Sequence, residues 1–481
     1  MMQPLEGMDA AFLSLETPTT PMHVGMVMVL DPPEGTRSLF SPTTRYAQIR
    51  RVIAQRLHLI GPFRQRAMRV PLGLHHPVWV DDPAFALDDH VHRASLPWPG
   101  GRTELDAFVA DAMSRPLDPD RPLWEMFVVE GLEDDRTALI AKVHHAILDG
   151  VSGASILAAF LDLNPRSRII PLPSEKWDPD PLPNSVQLLR YAATSLSQQP
   201  GRALTALQSG VDAVADLGTH SREMLNRGEV PPPGFFSAPG ASFNGAVSNR
   251  KQFASLGIPL EDAKLVRRVF QCTVNDVILA GVSGGLRLML MARGDDLSQS
   301  LVAMVPVSTR PDAEEATLGN QVSGMLVSLA TDIDDPVQRL QVIAESGRAA
   351  KEHEKLHRGR LVGELAQIAP PALASRLARA VAGTKLFDRM RPPFNVTVSG
   401  VRGPDFALFC AGSRVSTLYP LGPIAEGIGL NVTILSYLDQ LQFGLFACRK
   451  LVPELDDLAI HVDDALGELV GCALNARGAT G

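Results

Sequence analysis

An α/β (α+β) fold in two domains is the architecture this sequence predicts, and three observations carry it. The chain has 481 residues, more than one ordinary core sustains, so two domains of roughly 150–250 residues are expected. Short β-prone runs and helix-periodic runs are mixed through both halves. Between the halves the composition changes to a proline-rich stretch. Hydrophobic residues make up 45% and charged residues 20%, the ordinary balance of a globular protein.

The first domain is expected over residues 1–165. Residues 22–30 (MHVGMVMVL) are apolar and β-prone and stop at the turn signal DPPEG. Residues 44–57 place apolar side chains at helical spacing, and residues 104–113 do so again before prolines 116 and 122. Residues 123–130 and 137–144 read as two strands, separated by the acidic turn Glu133-Asp134-Asp135. Residues 166–244 are expected to form a long helical crossover. It carries prolines 171, 173, 179, 181 and 183, helical stretches at 186–196 and 204–217, and then Pro231-Pro232-Pro233-Gly234.

The second domain is expected over residues 245–481. It opens on a strand at 252–256, followed by a helix in IPLEDAKLVRRVF and a longer apolar one over 273–291. Residues 301–307 form a strand leading into a Ser-Thr-Arg-Pro turn. A charged helical segment (351–360) and an Ala-rich one (372–382) follow. Strands return at 394–398, 429–436 and 441–447, the last two as a hairpin.

Charge and cysteines exclude several classes. The 45 basic and 53 acidic residues leave a net charge of −8, so the basic excess a nucleic-acid partner requires is missing. Cys272, Cys410, Cys448 and Cys472 lack metal-ligand spacing and sit in apolar or helical contexts, which predicts buried free thiols and no metal site. The start MMQPLEGMDAAFLSLE lacks the basic residues and apolar run of a secretion signal. The apolar stretches are interrupted by His144, His145 and Asp149, or by Asn275, Asp276 and Arg287. None therefore reaches the ~18 uninterrupted apolar residues of a membrane span. A cytoplasmic protein, at most peripheral to a membrane, is the expectation.

The most informative segment is His144-His145-Ala146-Ile147-Leu148-Asp149-Gly150. A strand with Leu139, Ala141 and Val143 on one side and Ile140, Lys142 and His144 on the other runs straight into two histidines. Asp149 follows, and Gly150 closes the turn. Moving an acyl group from a thioester to an alcohol requires one proton to leave as the hydroxyl attacks. Unperturbed histidine titrates near ~6.5, so a neutral imidazole is available at cellular pH. Gly150 lets the backbone turn tightly and expose amide donors near a reacting centre. Metal ligation is a second reading, but no further His or Cys stands at close spacing and Asp149 alone does not complete a site. A buried structural pair of histidines is a third.

HHAILDG resembles the HHxxxDG motif of the CoA-dependent acyltransferase superfamily, which also holds peptide-synthetase condensation domains and plant alcohol acyltransferases. Other segments narrow the resemblance to the bacterial wax ester synthase/diacylglycerol acyltransferase branch, in order along nearly the whole chain. These are MDAAFLSLETPTTPMHVG from Met8, Pro122-Leu123-Trp124, TVNDVILA from Thr273, PVSTRP from Pro306, GNQVSGM from Gly319, and AEGIGLNVTILSY from Ala425. The resemblance implies two chloramphenicol-acetyltransferase-like domains of mixed sheet with flanking helices, and an active-site channel between them.

The same resemblance implies roles. His145, the second histidine, is the expected general base, with His144 beside it. No covalent intermediate is expected, since no nucleophilic Ser or Cys accompanies them. Asp149 turns away to meet an arginine, for which Arg64 or Arg66 in PFRQR is the expected partner, and Gly150 completes the turn. Asn275 and Asp276 match a functional pair that faces the site from the second half, with helix capping as the alternative. Trp124 and Arg310 are placed with the substrate-binding residues, Trp124 as an anchor packed beneath the site. One segment departs from the family: its Ser-Asn-Val-Pro-Gly-Pro reads Ser399-Gly400-Val401-Arg402-Gly403-Pro404 here.

Acyl-CoA is the implied co-substrate, with no permanently bound cofactor. No phosphate-binding glycine loop is expected, since residues 281–285 fall in a helix. Diacylglycerol, a long-chain alcohol, or both are the implied acceptors, giving triacylglycerol or wax ester. An apolar pocket separates such acceptors by only ~1–3 kcal/mol per methylene misfit. Lipid substrates imply a membrane or lipid-droplet surface. Arg376, Arg379, Lys385, Arg389 and Arg391 among Leu386, Phe387 and Met390 form the expected basic amphipathic face, the alternative being a helix docked on its own domain. Composition does not give the oligomeric state. Other readings are acyl transfer to a polyketide-derived alcohol or sugar lipid, and a non-catalytic homologue that coats lipid droplets. A condensation module is a further reading, but it normally has carrier-domain neighbours, for which this chain has no room.

Overall fold

The computed structural model describes residues 2–5, 7–33, 42–147, 153–171, 173, 177–197, 233–234, 236–308, 322–357 and 391–478. The first half supplies strands β1 (Gln3–Pro4), β2 (His23–Leu30), β3 (Gln65–Met68), β4 (Val78–Asp81), β5 (Val91–Ser95), β6 (Trp124–Glu130) and β7 (Thr137–His144). Its helices are α1 (Gly7–Leu15), α2 (Pro42–Arg56), α3 (Arg102–Ser114) and α4 (Gly153–Phe160), and α5 (Ser185–Ser197) lies in the crossover. The second half supplies β8 (Lys251–Pro259), β9 (Val302–Ser308), β10 (Val322–Ser328), β11 (Val396–Arg402), β12 (Phe409–Cys410), β13 (Ser413–Leu421), β14 (Leu430–Tyr437) and β15 (Gln440–Cys448). Its helices are α6 (Leu260–Phe270), α7 (Val274–Arg293), α8 (Pro336–His357) and α9 (Leu455–Gly478).

Two six-stranded mixed sheets organise these elements, in the orders β12-β13-β2-β7-β6-β5 and β10-β9-β11-β14-β15-β8. The α/β architecture with flanking helices stands as expected. Strand β7 lies at the centre of the first sheet and all eight of its residues are buried. Both faces of that strand are covered, so its alternation separates two packed faces rather than core from solvent. A small sheet, β1-β4-β3, receives α5 through Leu188 against Val78 and Val80.

The first sheet is not built from the first half alone. Strand β13 comes from the second half and pairs antiparallel with β2, from Val415 opposite Leu30 to Leu421 opposite Gly25. Nothing in the local sequence of 409–421 names a partner so far away along the chain, and no strand is expected there. Where β13 passes over β15, a Cβ on Gly444 would lie 1.8 Å from the Pro420 carbonyl oxygen. Only glycine permits that approach, so this crossing fixes how the two sheets meet.

Helix α7, although interrupted by Asn275, Asp276 and Arg287, is long and apolar enough over its 20 residues to pass for a membrane span by composition. It is buried along most of its length in the second core. Gly281, Gly284 and Gly285 lie against Leu466, Ala465 and Val462 of α9, each leaving a Cβ less than 2.7 Å of room. Those glycines serve close helix packing rather than phosphate binding. Cys410 and Cys448 are buried free thiols, whereas Cys272 and Cys472 are only partly so. The expected helices at 204–217 and 372–382, and the basic amphipathic segment up to 390, lie outside the described residues, as do 358–360 of the charged helix.

Candidate active site

The pair His144-His145 stands where β7 gives way to a single 3-10 turn, His145–Ile147. Backbone bonds fix that junction on both sides. The His144 amide donates to the Leu123 carbonyl at 2.9 Å, and the His145 amide to the Met22 carbonyl at 2.8 Å. The PLW segment therefore supplies the sheet partner that ends β7, and the chain entering β2 holds the start of the turn. His144 is fully buried, while His145 keeps part of its surface open.

Helix α1 closes over the turn. The Phe12 ring stacks on the His145 imidazole with centroids 3.9 Å apart and planes 25° from parallel. Burial, and then the neighbouring His144, push the His145 pKa down from 6.5 to about 4. The imidazole is therefore neutral throughout the physiological range. Its Nδ1 is buried and finds no hydrogen-bond partner among the described residues.

His144 is oriented differently. Its Nδ1 accepts the Ala146 amide at 3.1 Å, so the lone pair sits on Nδ1 and a neutral ring carries its proton on Nε2. Directly across the ladder lies His23, paired with His144 in the β2–β7 register. The two rings meet edge to face at 6.1 Å. Glu16, half-buried, reaches between them, 3.6 Å from His23 Nε2 and 3.7 Å from His144 Nε2. Two residues back along β7, the fully buried Lys142 donates to Glu125 at 3.1 Å and to the Arg115 carbonyl at 2.6 Å. Burial first, and then Lys142 and His144, hold His23 well below the usual histidine range.

Other expected site residues resolve in different ways. Trp124 is completely buried between Phe63 and His90, each stacked at 4.6 Å, and its indole N–H donates to the Phe63 carbonyl at 2.9 Å. Its one polar atom is satisfied and its surface is fully buried. The Arg66 guanidinium pairs with Asp120 at 2.5 Å, and that of Arg64 lies 5.1 Å from the Trp177 ring centroid. Asp149, Gly150 and Arg310 lie outside the described residues, so the arginine partner of Asp149 is not identified. Asp276 closes a capping box at the start of α7, accepting the Thr273 amide at 2.8 Å while Thr273 accepts the Asp276 amide at 3.2 Å. That is the geometry of a capping box. Asn275 turns its Oδ1 toward Gly400, where a Cβ would come within 3.0 Å. The departure at Gly400 thus leaves room that Asn275 fills.

Two features carry no local signal. Glu16 stands out in the sequence only through the family resemblance of its segment, and its proximity to the histidines appears once β2 and β7 pair. Arg56 forms a buried two-oxygen pair with Asp162, both contacts at 2.8 Å, and donates to the Phe160 carbonyl at 2.9 Å. Asp162 also pairs its backbone with Phe409 of β12. This ion pair locks the end of α4, just after the histidine motif, to α2 and to the strand pair from the second half.

Comparison with known proteins agrees with this geometry. Residues 5–278 match the wax ester synthase/diacylglycerol acyltransferase catalytic domain, and residues 318–470 match the C-terminal domain of the same family. A Mycobacterium tuberculosis protein, named for a proposed diacylglycerol O-acyltransferase activity, is 37% identical over 93% of this chain and 92% of its own. The solved wax ester synthase/diacylglycerol acyltransferase of Marinobacter aquaeolei superposes with a TM-score of 0.70 at 29% identity, covering 99% of this chain and 100% of that one. The first condensation domain of the calcium-dependent antibiotic synthetase shares the fold, with a TM-score of 0.54 at 14% identity over 98% and 96% of the two chains. The chain is an acyltransferase of the wax ester synthase/diacylglycerol acyltransferase family, matched over both its catalytic and its C-terminal part.

Proposed function

We propose that this enzyme moves a long-chain acyl group from acyl-CoA to the hydroxyl of diacylglycerol, of a long-chain alcohol, or of both. His145 is the general base. The observation that carries this reading is a neutral imidazole on a residue that is not fully buried, held by stacking and backbone bonds at the end of a buried strand.

The chemistry follows from that placement. Because Nδ1 faces the interior, proton transfer falls to Nε2. The acceptor hydroxyl gives its proton to Nε2 as its oxygen bonds to the thioester carbonyl carbon. The resulting oxyanion collapses, the carbon–sulfur bond breaks, and the imidazolium returns the proton to the departing CoA thiolate. No bond to the protein forms at any stage. Asp149 and Gly150 are proposed to shape the turn and offer an amide to the oxyanion. Asn275 is proposed to act through the wall of the site at Gly400. A membrane or lipid-droplet surface is the proposed source of acceptor.

The names of the mycobacterial relatives favour diacylglycerol, and the Marinobacter protein is named for both activities. Palmitoyl-CoA offered in parallel with dioleoylglycerol, hexadecanol and a monoacylglycerol tests the reading through released CoA thiol and ester product. Release of thiol with matching ester from dioleoylglycerol or hexadecanol is expected. Absence of ester with every acceptor contradicts it and favours a lipid-binding homologue.

A further inference from the structure

Glu16 is held in place by a short, heavily bonded loop. Thr17 and Thr20 pair through their backbones, and their hydroxyls meet at 2.6 Å. The hydroxyl of Thr19 donates to Glu426 at 2.8 Å, and Lys251 donates through Nζ to the Thr19 carbonyl at 2.6 Å. Glu426 and Lys251 belong to the second half of the chain. The loop is thus clamped from the far side of the molecule, and α1, with Phe12 on the His145 ring, enters it from the near side. One short segment grips both histidines of the motif.

The Glu16 carboxylate faces two buried imidazole Nε2 atoms, and neither finds a hydrogen-bond partner among the described residues. The 3.6 and 3.7 Å separations are longer than a full hydrogen bond and too short for a bridging water. A small rotation of the carboxylate converts either into a direct bond. A buried N–H left unpaired costs about 1–3 kcal/mol, so the arrangement favours that contact.

We propose that Glu16 is the positioning residue of this active site. Its carboxylate holds the proton of His144 on Nε2 and so keeps Nδ1 free to accept the Ala146 amide. That amide belongs to the turn on which His145 rides. The second half of the chain therefore orients the base of the first through Lys251, Glu426 and the loop they hold. This rests on His145 being the base, but the tautomer of His144 does not.

The test uses ¹⁵N-histidine NMR on the full-length protein together with steady-state kinetics. In the wild type, His144 is expected to show a protonated Nε2 and an unprotonated Nδ1. The isosteric Glu16→Gln variant is expected to show a mixture of His144 tautomers. Its kcat should fall about 10–100-fold with little change in KM for palmitoyl-CoA and an unchanged thermal midpoint. The opposite tautomer in the wild type overturns the proposal with no variant needed. A Glu16→Gln protein with wild-type kcat and wild-type His144 signals overturns it as well. If His145→Ala keeps its turnover while the His144 tautomer is as expected, the base assignment fails and the positioning contact stands.

Discussion

His145→Ala is expected to lower turnover at least ~100-fold with every acceptor that the wild type uses, as the loss of a general base does. The change also removes the ring that stacks on Phe12 at 3.9 Å, so folding needs a separate measurement. His145→Gln keeps a polar side chain of similar reach without an imidazole and is expected to lose a comparable factor. An unchanged far-ultraviolet circular dichroism spectrum and thermal midpoint in the Gln variant separate lost chemistry from lost structure. Either folded variant retaining a tenth or more of wild-type turnover sinks the assignment.

Asp162→Ala carries the largest expected effect on stability. It leaves the Arg56 guanidinium buried, with its two 2.8 Å carboxylate contacts gone and, among the described residues, only the Phe160 carbonyl accepting from it. An uncompensated buried charge costs about 3–5 kcal/mol. The double replacement Arg56→Met with Asp162→Leu removes both charges and is expected to recover most of that loss. Denaturant unfolding of the three proteins measures it. A single variant within about 1 kcal/mol of wild type shows that water reaches the pair.

The fold was legible where chemistry is local. Strand β7 declared itself through β-prone residues ending at two histidines, and α7 through its apolar length. Pairings across the chain were not legible. Strand β13 joins the first sheet although 385 positions separate Val415 from Leu30, its opposite number, a gap that follows from the register. The Arg56–Asp162 pair spans 106 residues, and each member alone reads as an ordinary surface charge.

The site divides in the same way. The histidines could be named because their identity carries the chemistry, whereas the surroundings that tune them come from three separate segments. Phe12 and Glu16 are recruited from α1 and the loop after it, and that loop is held by Lys251 and Glu426. Arg66 reaches Asp120 through one of its guanidinium nitrogens, a contact that PFRQR alone does not announce. Asp276 closes the cap of α7, and a cap and a substrate-binding residue leave the same mark in a sequence.

The pH dependence of kcat/KM tests the central claim most directly, since that ratio reports the ionisation of free-enzyme groups. Burial lowers the pKa of His145 to about 4, and only the neutral ring can take a proton. Activity should therefore stay level from about pH 8 to about 5 and be lost as pH falls through about 4, with circular dichroism confirming the fold at each point. An acid limb centred near the ordinary histidine value of ~6.5, in a protein still folded there, contradicts a buried neutral imidazole as the group that accepts the proton.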